Sequence, residues 1–288
     1  MAASALRSTL VHLRLPFSFF LLPIFLFAVH LTPSVDPFRA WGAFFLIHFL
    51  LYPASQAFNS WYDRDEGPIG GVAAPPPVHR SLIVTSWVLD VLALGAAWFL
   101  GPFFFGCLVF YTVGSKLYSW PPTRFKKRPV VGWLSIGLVQ GSLTFLAVVQ
   151  SIGAPRAWDD PVLWGGAGTA ALFLLGVYPL TQIYQHEEDA QHGDLTLSRL
   201  VGIRGTFVVA ASFLCAAVAG FLVLFLLTGG WPKAALFVAV LSPVLVYFLW
   251  WAWGVWHDPS RADFRRTMGM NLLASGLMNV FFLLDFWP

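Results

Sequence analysis

Residues 59–67 read NSWYDRDEG and stand at the end of an apolar segment. Asn59, Asp63 and Glu66 are spaced i, i+4 and i+7, so on a helix they share one face and direct three oxygen atoms toward one point. Oxygen clusters of this kind bind Mg²⁺, usually together with a phosphate group of the substrate. The stretch therefore predicts a magnesium site at the end of a helix.

A second acidic stretch, QHEEDAQHGD, occupies residues 185–194 and ends another apolar segment. Gln185, Glu188 and Asp189 again fall on one face of a predicted helix. A diphosphate approaches carboxylates only through metal ions that bridge them, as in phosphoryl-transfer sites. Two acidic clusters of this kind predict one shared diphosphate site.

The composition around these stretches is that of an integral membrane protein. Hydrophobic residues make up 58% of the 288 residues and charged residues only 11%, and the mean hydropathy is +0.71. Ordinary soluble domains carry about 25% charged residues. Apolar runs that can cross a hydrocarbon core of roughly 30 Å recur along nearly the whole chain. The sequence has no basic run or base-stacking motif of the sort that nucleic-acid binding requires.

Nine apolar segments predict an all-α protein in which residues 1–288 form a single transmembrane domain. We expect one bundle around a central cavity that opens to the cytoplasmic side. The segments span residues 15–31, 40–58, 81–100, 103–119, 131–151, 162–184, 206–228, 233–256 and 268–286.

The basic residues predict the orientation of the bundle. Of the 17 Lys and Arg residues, all but Arg39, Arg156 and Lys233 lie on the side of the N-terminus and the even-numbered loops. The positive-inside rule therefore places the N-terminus and the acidic stretches in the cytoplasm of a bacterial-type inner membrane, with the C-terminus outside.

Two further loops on the same side carry informative residues. Residues 63–80, the cap loop, read DRDEGPIGGVAAPPPVHR and are rich in Gly and Pro, which exclude a continued helix and predict a structured cap. Residues 116–132, the basic loop, read KLYSWPPTRFKKRPVVG. Arg124 and Lys126 of this loop are suited to neutralise phosphate oxygens. Positive-inside topology explains a basic loop equally well.

Polar residues continue from both acidic stretches into the predicted membrane. Polar groups that face lipid are costly, so these residues should face a cavity or hydrogen-bond between helices. Both possibilities stay open for the weaker sets on the fifth and ninth segments. The predicted substrate-binding residues are Asn59, Gln185, Tyr178, Gln182, His48 and Tyr52, and the weaker sets are Gln140 with Thr144 and Asn271 with Ser275 and Asn279.

Asp90 lies in the middle of the third segment, within SWVLDVLALG. An ionisable side chain inside a membrane is a functional candidate by default. The alternative is that Asp90 pairs with His48 or with a backbone group.

The two acidic stretches and the basic loop between them resemble, in this order, the motifs of the UbiA superfamily of intramembrane prenyltransferases. In that family the first motif is approximately NDxxDxxxD and the second DxxxD, and together they bind two Mg²⁺ ions and the diphosphate of a prenyl donor. Asn59 and Asp63 match the first two positions of the first motif, and Gly67 stands at its last position. Asp189 matches the last acid of the second motif, and Gln185 stands at its first acid position.

The resemblance implies that other acids replace the two missing ones. Glu66, or less favourably Asp65, would complete the first motif, and Glu187 or Glu188 the second. Asp194 lies in GDLTL, which resembles the GxxTL stretch of the family. The implied metal ligands are Asn59, Asp63, Asp65, Glu66, Glu187, Glu188 and Asp189.

The resemblance implies Mg²⁺-dependent transfer of a prenyl group from a prenyl diphosphate to an aromatic or other lipophilic acceptor, as in quinone and isoprenoid biosynthesis. The prenyl tail would run between apolar helices, toward membrane lipid. The altered acidic motifs keep open a membrane terpene cyclase that acts on the diphosphate alone. A transporter of a phosphorylated or lipid solute fits less well, because the acids lie on one membrane face. The residues expected to act on the reacting groups are Asp63, Asp189, Arg124, Lys126 and Tyr118.

Overall fold

The computed structural model describes residues 2–285, which form a bundle of α-helices without a β-sheet. Short 3₁₀ or π turns join several of the helices. The helices are α1 (Ala2–His12), α2 (Ser18–Leu31), α3 (Pro37–Phe45), α4 (Tyr52–Asp63), α5 (Arg80–Ala97), α6 (Pro102–Ser119), α7 (Pro129–Ser135), α8 (Thr144–Val149), α9 (Pro161–Val177), α10 (His186–Gln191), α11 (Leu197–His257) and α12 (Phe264–Asp285).

Six helical runs among the described residues are long and apolar enough to cross a membrane. The chain is therefore a multi-pass integral membrane protein, and the prediction of nine crossings is not confirmed by this criterion. Residue 286, the predicted end of the ninth segment, lies outside the described residues. The six runs are Ser4–Leu31, Arg80–Leu100, Pro129–Val149, Pro161–Gln191, Leu197–His257 and Phe264–Leu284.

The longest run, α11, contains 61 residues but is not one straight rod. A continuous helix of that length would measure about 90 Å, some three times the thickness of the hydrocarbon core. Gly230 interrupts it with a φ of 71°, in the left-handed region that glycine adopts most readily. Pro232 follows two residues later. The interruption lies where the seventh and eighth predicted segments are separated.

Two π turns widen helical runs that face the centre of the bundle. Leu46–Leu51 joins α3 to α4, and Ile136–Leu143 joins α7 to α8. A π turn bonds residue i to i+5, and such turns are frequent at functional sites. In the second turn a Cβ at Gly141 would lie 2.8 Å from the carbonyl oxygen of Ala170. Helix α9 therefore packs directly on the backbone of this turn.

Phenylalanine rings fill the part of the bundle where α2, α11 and α12 meet. Phe27 lies 4.7 Å from Phe221, measured between ring centroids, and Phe225 lies 5.0 Å from Phe237. Edge-to-face packing of this kind adds to the free energy gained from apolar burial. The members of this cluster are Phe27, Phe145, Phe173, Phe221, Phe225, Phe237, Phe281 and Phe282.

Two arginines close helix ends on the side of the bundle opposite the acidic stretches. Arg39 Nε donates to the carbonyl oxygen of Ser151 at 2.7 Å, and its Nη2 donates to that of Leu100. Arg156 Nε donates to the carbonyl oxygen of Leu31 at 2.6 Å. The last carbonyls of a helix lack intrahelical partners and carry the negative end of its dipole, so a cation stabilises them.

Candidate active site

A cavity of about 200 Å³ lies between α2, α4, α6, α12 and the turns that precede α10. Its wall combines apolar side chains with most of the polar residues that the sequence singled out. Six of the predicted site residues do not line the cavity: Arg124, His48, Tyr52, Glu66, Glu187 and Glu188. The predicted residues that do line it are Asn59, Asp63, Asp65, Tyr118, Lys126, Tyr178, Gln182, Gln185 and Asp189, together with Gln140, Asn271 and Ser275 of the weaker sets.

Helix α4 ends at Asp63, earlier than the pattern of the first acidic stretch requires. Arg64 adopts a left-handed conformation (φ 53°, ψ 38°), and its N–H donates to the carbonyl oxygen of Ser60 at 3.0 Å. Glu66 therefore lies beyond the helix and is exposed, so the prediction that it shares a helical face with Asn59 and Asp63 is wrong. Asp65 lines the cavity in its place.

The second acidic stretch also departs from a regular α-helix. Two 3₁₀ turns, Tyr178–Thr181 and Ile183–Gln185, separate α9 from α10. A 3₁₀ helix has three residues per turn, and Pro179 lacks an N–H to donate, so an α-helical face cannot continue through these turns. The predicted helical geometry is therefore wrong here. Tyr178, Gln182, Gln185 and Asp189 nevertheless all line the cavity.

Glu188 connects the second acidic stretch to the cap loop. Its Oε1 accepts hydrogen bonds from the backbone N–H groups of Glu66, at 2.6 Å, and Gly67, at 3.2 Å. Gln185 Nε2 donates to the carbonyl oxygen of Pro68 at 3.3 Å. Glu187 is exposed. The structure thus gives Glu188 a role in holding the cap loop, and it brings neither glutamate to the cavity wall.

The cap loop is structured and covers part of the cavity. Ile69 and Val72 exchange backbone hydrogen bonds of 2.9 and 2.8 Å. Helix α1 holds the far end of the loop, because Ser8 Oγ donates to the carbonyl oxygen of Pro77 at 2.7 Å. Ile69 and Gly70 line the cavity. The prediction of a structured cap at this position is confirmed.

A network of ion pairs joins the basic loop to two carboxylates. Lys126 Nζ lies 2.7 Å from Asp63 Oδ1 and 2.9 Å from Asp194 Oδ2. Arg124 binds Asp194 through two hydrogen bonds of 3.0 and 2.9 Å, and its Nη2 lies 3.3 Å from Asp63 Oδ1. The side chain of Asp194 is fully buried. Lys126 lines the cavity, whereas Arg124 does not line it and pairs with the same two carboxylates.

Burial and neighbouring charges shift the pKa values of Lys126 and Asp194 in opposite directions. Burial lowers the pKa of Lys126, but Asp63 and Asp194 raise it more, so its pKa lies above the ordinary value for lysine. Burial raises the pKa of Asp194, but Arg124 and Lys126 lower it more, so its pKa lies below the ordinary value. Lys126 and Asp194 are therefore both charged throughout the neutral pH range. No local sequence pattern predicts this role of Asp194, because its partners lie about 70 residues away in the chain.

The carboxylates on the cavity wall suit a metal ion that arrives with a diphosphate. The described residues contain no group of three or more His, Cys, Asp or Glu side chains placed to hold a metal ion by themselves. Magnesium, however, usually binds one or two carboxylates together with substrate phosphates. Burial first, and then the neighbouring Asp63, raise the pKa of Asp65 to about 7. The wall thus carries surplus negative charge and hard oxygen donors, which fit Mg²⁺.

The raised pKa of Asp65 predicts a pH dependence of stability in the metal-free protein. Between its ordinary value of 3.8 and about 7, the folded state binds more protons at Asp65 than the unfolded state does. The stability contribution of this group therefore falls as the pH rises through that window, and the penalty is complete above pH 7. Asp65→Asn should raise the melting temperature at pH 8 and change it little below pH 4. Equal shifts at both pH values in thermal unfolding would contradict this prediction.

Two hydroxyl contacts organise the cavity wall next to the acidic stretches. The hydroxyls of Tyr118 and Tyr178 hydrogen-bond to each other, so α6 and the first 3₁₀ turn are joined at the cavity. Ser119 Oγ donates to Asn59 Oδ1 at 2.6 Å. A carbonyl oxygen has two lone pairs, so Asn59 keeps one for another partner.

His48 and Tyr52 lie behind the cavity wall. His48 belongs to the first π turn, and its ring centroid lies 5.1 Å from that of Tyr52. Both side chains are buried. The extra residue in a π turn rotates the preceding part of the helix relative to Ser55 and Asn59, which do line the cavity. The structure therefore does not bring His48 and Tyr52 to the predicted substrate site.

Arg14 lines the cavity, although its position in the sequence predicts only a charge that contributes to membrane topology. It lies at the junction of α1 and α2 with a φ of 47°, and it is buried. Its Nη2 lies 3.4 Å from the carbonyl oxygen of Gln56 and 3.4 Å from Ser60 Oγ. A lone arginine at the start of the first apolar segment was the only sequence signal for this position.

Asp90 pairs with Lys116 rather than with His48. Lys116 Nζ lies 2.6 Å from Asp90 Oδ2 and 4.4 Å from the centroid of the Phe58 ring. It also donates to Ser86 Oγ at 3.2 Å. Neither Asp90 nor Lys116 lines the cavity. The alternative that Asp90 pairs with His48 is wrong.

Asp90→Asn should therefore affect stability more than turnover. The substitution leaves Lys116 buried without a carboxylate, which costs about 3 kcal/mol, at the lower end of the range because Phe58 and Ser86 still contact the ammonium. Turnover per folded molecule should stay within about threefold, because the pair lies outside the cavity. Thermal unfolding and product formation at matched amounts of folded protein measure both effects. The double variant Asp90→Leu, Lys116→Met should recover most of the stability, and an equally unstable double variant would exclude the ion pair as the cause.

The sequence matches a known family over most of its length. A sequence profile of the UbiA prenyltransferase family matches residues 20–275. The bacteriochlorophyll synthase 33 kDa chain of Cereibacter sphaeroides is 31% identical over 238 residues, which cover 78% of this chain and 74% of that protein. A probable chloroplastic homogentisate phytyltransferase 2 of Oryza sativa subsp. japonica is 26% identical over 178 residues, which cover 57% of this chain and 47% of that protein.

Solved structures share the fold of the chain. A UbiA homologue from Archaeoglobus fulgidus, bound to DMAPP and Mg²⁺, superposes with a TM-score of 0.70 at 19% identity, covering 98% of this chain and 100% of that one. The apo structure of a UbiA homologue from Aeropyrum pernix K1 superposes with a TM-score of 0.70 at 17% identity, covering 95% and 99%. At such identities the likeness establishes the arrangement of the helices.

Proposed function

Because the chain belongs to the UbiA prenyltransferase family, and is thus a prenyltransferase, we propose that it transfers a prenyl group from a prenyl diphosphate to a lipophilic ring compound. The observation that carries this proposal is one cavity that joins carboxylates, two buried cations and apolar walls. A prenyl diphosphate matches this wall, because it has a charged head and an apolar tail. The A. fulgidus homologue was solved with such donors, DMAPP and GPP, each with Mg²⁺.

The carboxylates and amides near the cap loop would hold the diphosphate with its metal ions. Asp63 and Asp65 on one side and Asp189 on the other supply the carboxylates, and Asn59 and Gln185 supply neutral oxygens. When bound, Mg²⁺ neutralises the diphosphate and stabilises the negative charge of the leaving group. Glu66, Glu187 and Glu188 have no direct part in this arrangement.

The buried cations act on the diphosphate from two directions. Lys126 reaches the cavity between Asp63 and Asp194, and Arg14 reaches it from the junction of α1 and α2. Fixed positive charges placed where negative charge develops stabilise the transition state without reorganisation. In the transfer, the bond between the prenyl C1 and the diphosphate oxygen breaks, and the oxygen keeps the electron pair. A bond from C1 to the acceptor forms, and the acceptor loses a proton.

The rest of the cavity protects the electron-poor prenyl group. The ring faces of Tyr118 and Tyr178 carry negative charge density and suit an allylic cation. Ile69 and Gly70 of the cap loop form part of the cavity wall, and a wall that excludes water from the prenyl group would prevent its hydrolysis. Apolar residues of α2 and α9 provide the path for the prenyl tail.

We further propose nine membrane crossings with the cavity opening to the cytoplasm. The asymmetry of the Lys and Arg residues supports this orientation. The interruption of α11 at Gly230 supports two crossings in that run. The helical residues 37–63 and 102–119 supply the remaining two.

A membrane terpene cyclase is the second candidate. Gly67 and Gln185 stand where the family motifs have acids, and an altered motif can accompany altered chemistry. Product analysis distinguishes the two. Purified protein in detergent receives Mg²⁺ and prenyl diphosphates of increasing length, with and without homogentisate and other aromatic acceptors. We expect a product with the mass of acceptor plus prenyl that disappears when the acceptor is omitted. A product from the diphosphate alone would identify a cyclase and refute the transferase.

A further inference from the structure

A clasp of three hydrogen bonds joins the cap loop to the second acidic stretch. Glu188 Oε1 accepts from two consecutive backbone N–H groups, those of Glu66 at 2.6 Å and Gly67 at 3.2 Å. Gln185 Nε2 donates to the carbonyl oxygen of Pro68, the following residue of the loop, at 3.3 Å. The clasp consists of protein atoms alone and needs no metal ion to form.

The clasp depends on the glycine at residue 67. A Cβ on Gly67 would lie 2.7 Å from Glu188 Oε2, closer than Cβ atoms in proteins approach other heavy atoms. An aspartate there would also place a second negative charge beside the Glu188 carboxylate, and like charges repel. The UbiA motif has an acid at this position, where this chain has Gly67. The clasp and the acid of the motif therefore exclude each other.

Asp65 is the cavity carboxylate whose position the clasp controls. The clasped backbone begins one residue after Asp65, and on its other side the N–H of Arg64 donates to the carbonyl oxygen of Ser60 and closes α4. The Asp65 side chain makes no hydrogen bond within the described part of the chain, so the backbone on both sides sets its position. Asp65 lines the cavity, whereas Glu188 does not.

We propose that Glu188 is a positioning residue, which acts through the backbone of the cap loop to hold Asp65 toward the diphosphate and its metal ion. This inference rests on the proposed function, because it places Asp65 at the proposed diphosphate site. A carboxylate that bound the metal directly would need its charge. A clasp needs only an oxygen that accepts hydrogen bonds, which an amide also supplies.

Hydrogen exchange of the Glu66 and Gly67 amides measures the clasp without metal ion, diphosphate or turnover. In the protein in detergent, Glu188→Ala should exchange these amides about tenfold faster or more, the effect of losing a hydrogen bond to a charged group. Glu187→Ala is the matched control, because Glu187 is the exposed neighbour of Glu188, and it should leave both rates unchanged. Equal rates in Glu188→Ala and the unsubstituted protein would overturn the inference.

Gly67→Asp restores the acid of the family motif and should nevertheless open the clasp. After correction for the new side chain, the Glu66 amide should exchange as fast as in Glu188→Ala. The combined variant should exchange no faster than either single variant, because both act on the same contact. If the Glu66 amide stays slow in Gly67→Asp, the requirement for glycine is wrong.

Binding of inorganic pyrophosphate with Mg²⁺ tests whether the clasp acts through Asp65. Calorimetric titration should show an affinity about tenfold lower in Glu188→Ala, and Glu188→Gln should recover most of it. In an Asp65→Asn background, Glu188→Ala should lower the affinity by less than about twofold, because the positioned carboxylate is already absent. An equally large loss in that background, or a Glu188→Gln as weak as Glu188→Ala, would refute the positioning role.

Product analysis separates this inference from the proposed function. If the unsubstituted protein binds pyrophosphate with Mg²⁺ and forms no prenylated acceptor, the proposed function fails, and the exchange and binding results still decide the role of Glu188. If prenylated acceptor forms, and the pyrophosphate affinity is the same in Glu188→Ala and the unsubstituted protein, only the assignment of Glu188 fails.

Discussion

Asp194→Asn should lower the free energy of unfolding by about 5 kcal/mol, the upper end of the range for breaking a buried ion pair. Asp194 is fully buried and contacts both Arg124 and Lys126 at 2.9 Å. Its loss leaves two cations of the basic loop with Asp63 as their remaining carboxylate. Chemical unfolding in detergent, monitored by tryptophan fluorescence, measures the change.

The same substitution should reduce turnover even in the folded fraction. Lys126 is held between Asp63 and Asp194, and without Asp194 its position toward the diphosphate is no longer fixed. Asp159→Asn serves as the control, because Asp159 is exposed, and it should change neither quantity. Asp194→Glu retains the charge and should recover part of the stability. If Asp194→Asn has the same free energy of unfolding as the unsubstituted protein, the network does not stabilise the bundle.

Asp63→Asn and Asp189→Asn should each lower Mg²⁺-dependent turnover by about a thousandfold, because each removes a charge that the metal and diphosphate require. Both proteins should remain folded. After the loss of Asp63, Lys126 and Arg124 keep Asp194. Within the described part of the chain, the Asp189 side chain accepts one hydrogen bond, from Thr196 Oγ1 at 3.4 Å. Initial rates across a range of Mg²⁺ concentrations measure the effect.

Glu187→Gln provides the matched control for these carboxylates. It removes one negative charge from the same acidic stretch, but Glu187 is exposed and does not line the cavity. Its turnover should stay within about twofold of the unsubstituted protein. Full activity in Asp63→Asn or Asp189→Asn would refute the site, and a thousandfold loss in Glu187→Gln would show that the second motif binds metal differently.

The sequence was sufficient to locate the cavity, because its signals are local. Asn59 and Asp63 are one helical turn apart, and the helix does extend to Asp63. The apolar segments and the Gly- and Pro-rich cap loop also follow from composition and local backbone preference. The family motifs added the order of the two acidic stretches.

The sequence failed where backbone geometry or distant pairing decides the structure. The left-handed conformation of Arg64 moves Glu66 away from the helix, and no pattern of side chains predicts it. The π turn at Leu46–Leu51 displaces His48 from the face that regular α-helical spacing assigns to it. Asp90 and Lys116 lie on different helices, and their pairing depends on how those helices pack.

Arg39 and Arg156 are two of the three basic residues on the side of the bundle that has few positive charges. They bind helix ends there, although their charges weaken the charge difference that sets the orientation in the membrane. Neutral replacements would sharpen the charge difference that guides insertion. They would also leave the helix ends at Leu31, Leu100 and Ser151 without their cationic partners. These two arginines therefore weaken the charge signal for insertion but stabilise the helix ends that they bind. An engineered copy optimised for insertion alone would reach the membrane correctly oriented and unfold more readily there.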